Sequence, residues 1–203
     1  MTPRLVLATA NPGKIREFLP LLDGLGYTIG SLSDLAEVRL PPEGETSYAD
    51  NALGKARAVA AATPAVALGD DSGLEVDALA GRPGVASARY GGPGLTDAER
   101  VTRLLTELGP APNRGARFRC VLALVAPWGE EAAVEGAVEG VLTDRPRGSQ
   151  GFGYDPIFLV PPLGRTFGEL PDVEKHRLSH RARAADAARP ILARWAARLR
   201  QPA

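Results

Sequence analysis

An apolar run at residues 5–9 breaks directly into Asn11-Pro12, and no other junction constrains the fold of this chain as tightly. Leu5, Val6, Leu7 and Ala8 read as a short buried strand. Asn11 then offers a side-chain cap, and Pro12 fits the first helical position, where its missing N–H has no consequence. Ile15, Phe18, Leu19 and Leu22 fall on one face of the helix that follows, and Gly24 and Gly26 close it. A strand that feeds a helix this abruptly predicts an α/β protein.

The rest of the chain extends that pattern. Residues 27–31 read as a second strand and residues 33–45 as a loop around Pro41-Pro42. Thr46 or Ser47 caps an Ala-rich helix to about residue 62. Residues 65–68 are a third strand, expected to end at Gly69-Asp70-Asp71-Ser72-Gly73, with another short strand at 74–76. The Gly- and Pro-rich stretch 81–94 reads as a long ordered loop. Thr96-Asp97-Ala98-Glu99 is a capping box opening a helix to about residue 108. Strands at 118–126 and 132–142, turned by Trp128-Gly129, form a hairpin. Residues 157–160 give a last strand. Ser179 caps a C-terminal helix to about residue 199, which Pro190 is expected to kink or split. Helices alternate with strands early and a hairpin comes late, so the fold class is mixed α/β. The 203 residues fit one domain, or one with two lobes.

Charge and cysteine usage narrow the function. The chain carries 24 acids and 24 bases, a balance that argues against a broad nucleic-acid surface but not against a focused anion site. Cys120 is the only cysteine, so no intrachain disulfide forms, and in its apolar run it reads as an inert buried thiol. No run of ~20 apolar residues is present to span a membrane. The cytoplasm is the expected compartment. Among the basic residues, 21 are arginine and only three are lysine: Lys14, Lys55 and Lys175. Lysine is a compact, mobile point charge rather than a planar fork, and all three lie in segments dense in polar and turn residues.

Five segments carry candidate chemistry. Thr9-Ala10-Asn11-Pro12-Gly13-Lys14 places a helix N-terminus after a strand, with its N–H groups and dipole set for phosphate; an ordinary capped helix uses the same letters, and the Walker spacing is absent. Glu43-Gly44-Glu45-Thr46 leads into the helix bearing Asp50, Asn51 and Lys55; its carboxylates suit a hard divalent cation, or simply a solvated loop. Asp70-Asp71-Ser72-Gly73 sets two adjacent acids at a strand end, where α/β folds place ligands. Such acids repel unless a cation or proton offsets them, although Asp, Ser and Gly are also turn formers. Gly148-Ser149-Gln150-Gly151-Phe152-Gly153-Tyr154-Asp155-Pro156 can stack a planar ring on Phe152 and offer Asp155 to its edge, or serve as a Gly-rich turn with an apolar anchor. Glu174-Lys175 with Ser179-His180-Arg181 gathers cations near a helix start. These are not a zinc set.

In this order the five segments, together with Ser87-Ala88-Arg89-Tyr90, resemble the ITPase/HAM1 family of non-canonical purine nucleoside triphosphate pyrophosphatases. The resemblance runs from Thr9 to Arg181. It implies an elongated α/β structure of two lobes around a central cleft, usually a homodimer. It also implies Mg²⁺-dependent cleavage of ITP, dITP or XTP between the α and β phosphorus atoms. Phosphate contacts then fall on Thr9, Ala10, Asn11, Pro12, Gly13, Lys14 and Ser72. Glu43 and Asp71 match metal-binding carboxylates, and Asp71 also matches a general base. Lys14, Lys55 and Asp70 match supporting catalytic positions. Phe152, Gly153, Tyr154, Asp155, Lys175, His180 and Arg181 match base and sugar recognition. Two departures from the family pattern lie in one helix: Asp50 stands where Glu is frequent, and Gly54 where an apolar residue is usual. A Maf-like pyrophosphatase acting on other modified nucleotides is the alternative reading.

Overall fold

The computed structural model describes residues 2–35 and 38–201; residues 36 and 37, inside the expected 33–45 loop, lie outside the described residues. Seven strands form one mixed sheet: β1 (Arg4–Leu7), β2 (Thr28–Ser31), β3 (Val66–Val76), β4 (Gly115–Val125), β5 (Glu131–Leu142), β6 (Phe158–Val160) and β7 (Arg165–Thr166), in the order β2-β1-β3-β4-β5-β6-β7. β1 pairs in parallel with both β2 and β3, whereas β6 pairs antiparallel with β5 and β7. Among the described residues, five α-helices accompany the sheet, with short 3-10 turns between elements: α1 (Pro12–Leu21), α2 (Tyr48–Ala62), α3 (Asp97–Leu108), α4 (Asp172–Leu178) and α5 (His180–Leu199). The expected α/β class holds.

The chain divides into two compact units. The first comprises Met1–Asp71, Cys120–Gly136 and Arg181–Ala203, and the second Ser72–Arg119 and Ala137–His180. In the first unit, period-2 alternation sends successive residues to opposite faces of the sheet. Leu5, Leu7, Val66, Leu68, Leu122 and Leu124 pack with Phe18 of α1 and with Ala184, Ala188, Leu192 and Trp195 of α5. Val6, Ala8, Ala67, Val121 and Ala123 pack instead with Ala52, Ala56 and Val59 of α2. The small residues on this second face let α2 approach closely. Gly69 takes this furthest: a Cβ there would run into the Ala52 carbonyl and the Ala56 nitrogen. In the second unit, Leu74, Val76, Ala116, Phe118 and Val138 form a core with Val101, Leu104 and Leu108 of α3 and with Phe158 and Phe167.

Several local expectations are corrected. β3 does not end at residue 68. It runs eleven residues, through the acid pair and into the stretch read as a separate short strand. α5 is one helix despite Pro190, and is not split. α4 was not anticipated. The caps at Asn11 and Ser47 and the Thr96–Glu99 box form as expected.

Candidate functional site

Strand alternation decides where the two acids point. Asp70 shares the face of Leu68 and meets α1: its carboxylate lies 2.9 Å from Lys14 Nζ. Asp71 shares the face of Gly69 and meets α2: its Oδ2 accepts from Asn51 Nδ2 at 2.9 Å, and its Oδ1 lies 3.5 Å from Lys55 Nζ. Lys55 also donates to Glu43 Oε1 at 2.6 Å. Asn51 and Lys55 are one helical turn apart on the same face of α2. The close approach at Gly69 is what delivers both to Asp71. Adjacent carboxylates are therefore tolerated here because each has its own lysine.

The electrostatics separate the pair. Burial opposes ionisation of Asp70, which is 1 % exposed. The charges of Lys14, Arg181 and Lys55 outweigh that and hold its carboxyl below the usual range. Burial also acts on Asp71, and there it prevails over Lys55 and the Asn51 hydrogen bond, so the carboxyl is pushed up. Lys55 is held above its ordinary value: burial works against the ammonium, but Asp70, Asp71 and Glu43 more than offset it. The two neighbouring carboxyls are thus driven in opposite directions by their surroundings.

At the start of α1 the structure narrows one expectation. The Gly13 and Lys14 amides both donate to Asn11 Oδ1, at 2.9 and 3.2 Å, and the Asn11 amide donates to Thr9 Oγ1. These N–H groups are engaged by the cap, so charge at this corner comes from Lys14 and the helix dipole. Beside the Glu43 segment opens a cavity of ≈290 Å³, lined by Pro41, Glu43, Thr46, Ser47, Asp50 and Gly54 among others. It exists partly because Gly54 has no side chain; a Cβ there would press on Pro41.

The remaining expected residues take other partners. Asp155, 2 % exposed, is ion-paired with Lys175, 1 % exposed, and accepts from the Phe152 amide at 2.8 Å. Asp155 is thus engaged by its own loop. Gly151 is required for this, since a Cβ there would collide with the Asp155 carboxylate, and its φ is +74°. Lys175 Nζ lies 5.2 Å from the Phe152 ring centroid, a cation–π contact. Gly153 donates to Asp97, and Tyr154 donates to the Ser87 carbonyl. Ser87, from the Ser-Ala-Arg-Tyr motif, is buried and accepts from the Leu74 amide, a structural role. The His180 ring stacks on Phe118. Ser72 is half-buried and, with the residues of this paragraph, belongs to the second unit.

Arg181, matched with Lys175 and His180 to base and sugar recognition, belongs to the first unit. Its Nη1 lies 2.9 Å from Glu17 Oε2, both side chains being buried. Sequence reasoning missed Glu17 and the partners of Asn51. Glu17 follows Lys14 by three positions, next to Phe18 of the apolar face. That placement was the one available signal that its acid is buried.

Glu43 and Asp71 fit a divalent cation: the two carboxylates converge on one ammonium, and such cations take carboxylate oxygens. No group of three or more His, Cys, Asp or Glu side chains that could hold a metal occurs among the described residues. The rest of a coordination shell would come from substrate oxygens and water. No helix of the described residues is long and apolar enough to cross a membrane.

The model of the Ham1 family matches residues 5–191. The chain is 52% identical over 183 residues to a dITP/XTP pyrophosphatase of Thermus thermophilus, covering 89% of this chain and 87% of that one. It is 48% identical to a dITP/XTP pyrophosphatase of Geobacter sulfurreducens, covering 89% and 92%. Among solved structures, a HAM1 protein from Coxiella burnetii superposes with a TM-score of 0.82 at 38% identity, covering 95% of this chain and 99% of that one.

Proposed function

The chain belongs to the Ham1 family, and from that premise we propose that it is a nucleoside triphosphate pyrophosphatase that removes deaminated purine nucleotides such as dITP, ITP and XTP. Relatives named dITP/XTP pyrophosphatase support this reading, and nothing favours a Maf-like one. The observation that carries it is the convergence of Lys14, Asp70, Asp71, Lys55 and Glu43 within one unit: matched acids and mobile cations, as a polyphosphate substrate requires.

Mg²⁺ is the proposed cofactor, held by Glu43 and Asp71; when bound it supplies positive charge to phosphate oxygens and acidifies water. The chain's own residues do the rest. Asp71 accepts the proton of the water that attacks the α-phosphorus. Asp70 holds Lys14 in place. Lys14 and Lys55 offset charge on departing pyrophosphate, so catalysis is mainly position and electrostatics. Thr9, Ala10, Asn11, Pro12, Gly13 and Ser72 are proposed phosphate contacts. Phe152, Gly153, Tyr154, Asp155, Lys175, His180 and Arg181 are proposed to recognise the nucleoside. A donor such as Arg181, Lys175 or His180 at the six position donates to the hypoxanthine oxygen and is left unpaired by adenine's amine, a mismatch that discriminates by ~10⁴-fold or more. The proposal extends to a homodimer in the cytoplasm, each chain a single domain with two lobes.

The test is pyrophosphate release from dITP, ITP, XTP, GTP, ATP and pyrimidine triphosphates, with and without Mg²⁺. Release confined to dITP, ITP and XTP and dependent on Mg²⁺ supports the reading; equal turnover of ATP contradicts it.

A further inference from the structure

Asn51 makes three side-chain hydrogen bonds that tie two separate parts of the chain together. Its Oδ1 accepts from the Gly44 amide at 2.7 Å, and its Nδ2 donates to the Gly44 carbonyl at 3.2 Å and to Asp71 Oδ2 at 2.9 Å. Gly44 N–H can only donate, so it fixes which end of the Asn51 side chain is oxygen. Both Nδ2 hydrogens are then spoken for. One closes an amide-to-amide pair on the Gly44 peptide; the other fixes Asp71 Oδ2.

The consequence reaches Glu43. Its backbone adjoins the Gly44 peptide that Asn51 clamps, and its carboxylate is held by Lys55, one turn further along α2. Glu43 precedes Asp71 by 28 positions in sequence, with a Pro41-Pro42 loop before it. Nothing local sets where its backbone lies relative to Asp71. The side-chain amide of Asn51, 7 % exposed, supplies that reference by bonding to both sides. With Oδ2 engaged by Asn51, Asp71 Oδ1 is the oxygen left facing Lys55 and Glu43.

We infer that Asn51 is a positioning residue: it orients Asp71 and anchors the Glu43-Gly44 segment, so that their two carboxylates are presented together to a divalent cation. This rests on the reading of Glu43 and Asp71 given under Proposed function. Glutamine carries the same groups one methylene further out and cannot bond the Gly44 peptide and Asp71 from the same backbone position without moving one of them.

The experiment compares the wild-type chain with Asn51→Ala, Asn51→Leu and Asn51→Gln. Val59→Ala, a buried truncation in the same helix, is the control for lost stability. Mn²⁺ binding is measured by calorimetry without nucleotide, and kcat and KM for dITP at saturating Mg²⁺. Loss of a residue that orients metal-binding side chains typically weakens metal affinity or activity 10–100-fold. The expected result is a rise of about that size in the Mn²⁺ dissociation constant for all three Asn51 variants. A fall in kcat with KM within about twofold should accompany it, and Val59→Ala should bind Mn²⁺ like the wild type. Asn51→Leu fills the volume left by the amide, so it gives the reading if Asn51→Ala does not fold. Wild-type-like Mn²⁺ affinity in a folded Asn51→Ala or Asn51→Leu chain, or an equal loss in Val59→Ala, overturns the inference. A wild-type chain that neither binds Mn²⁺ nor releases pyrophosphate removes the underlying reading, and the inference with it.

Discussion

Asp70 and Asp71 are consecutive in β3 yet serve different helices, Asp70 meeting Lys14 of α1 and Asp71 meeting Asn51 of α2. Period-2 geometry makes this unavoidable in a strand. It lets two charges sit one residue apart, both nearly fully buried, without facing each other. It also gives them different surroundings, so one carboxyl is pulled down and its neighbour pushed up.

Gly69→Ala tests the close approach that this division needs. The new Cβ meets backbone of α2 rather than a yielding side chain, so α2 must shift away from β3. Overpacking of this kind costs about 1–3 kcal/mol. Urea unfolding should register that loss, and turnover should fall further than stability alone explains, because Asn51 and Lys55 ride on α2.

The Asp155–Lys175 pair should behave as a buried ion pair. Removing one partner strands the other charge, at about 3–5 kcal/mol. Lys175→Met alone should therefore destabilise strongly, whereas Lys175→Met with Asp155→Asn should recover part of the loss. A double-mutant cycle by urea unfolding measures the coupling; additive losses would show that the two residues stabilise the fold independently.

Cys120 is fully buried beside Leu122, and burial, reinforced by the Asp70 charge, pushes its thiol well above the ordinary range. The native chain should resist a thiol reagent at pH 8 and react only after unfolding. The sign for stability follows. The raised group stabilises the fold below the thiol's unfolded pKa of about 9. That contribution is lost as pH climbs further, because the unfolded thiol then ionises and the buried one does not. Thermal unfolding of the native chain against Cys120→Ala between pH 7 and 10 should show that extra alkaline loss only in the former.

The sequence was legible where structure is set by neighbours. Asn11-Pro12 and Thr96–Glu99 cap their helices as read, because capping is a contact between residues two or three positions apart. Gly69-Asp70-Asp71-Ser72-Gly73 misled for the opposite reason. Its letters favour a turn, but lysines from two helices neutralise the acids and α2 needs the glycine, so the strand continues. The members of the site were readable as residue types; their partners were not. Glu17 reaches Arg181 across 164 positions and Asn51 reaches Asp71 across 20, distances at which no periodicity carries a signal. The buried counter-charges of Asp155 and Arg181, Lys175 and Glu17, could not be seen in the sequence for the same reason.

The most direct test of the account is single-turnover hydrolysis of dITP by Asp71→Asn in saturating Mg²⁺. The substitution keeps size and hydrogen-bonding shape but cannot take a proton. General-base catalysis is worth typically 10²–10⁴-fold, so pyrophosphate release should slow by at least about 10²-fold while the circular dichroism spectrum stays that of the native fold. Release at near wild-type rate from a folded Asp71→Asn chain would contradict the account.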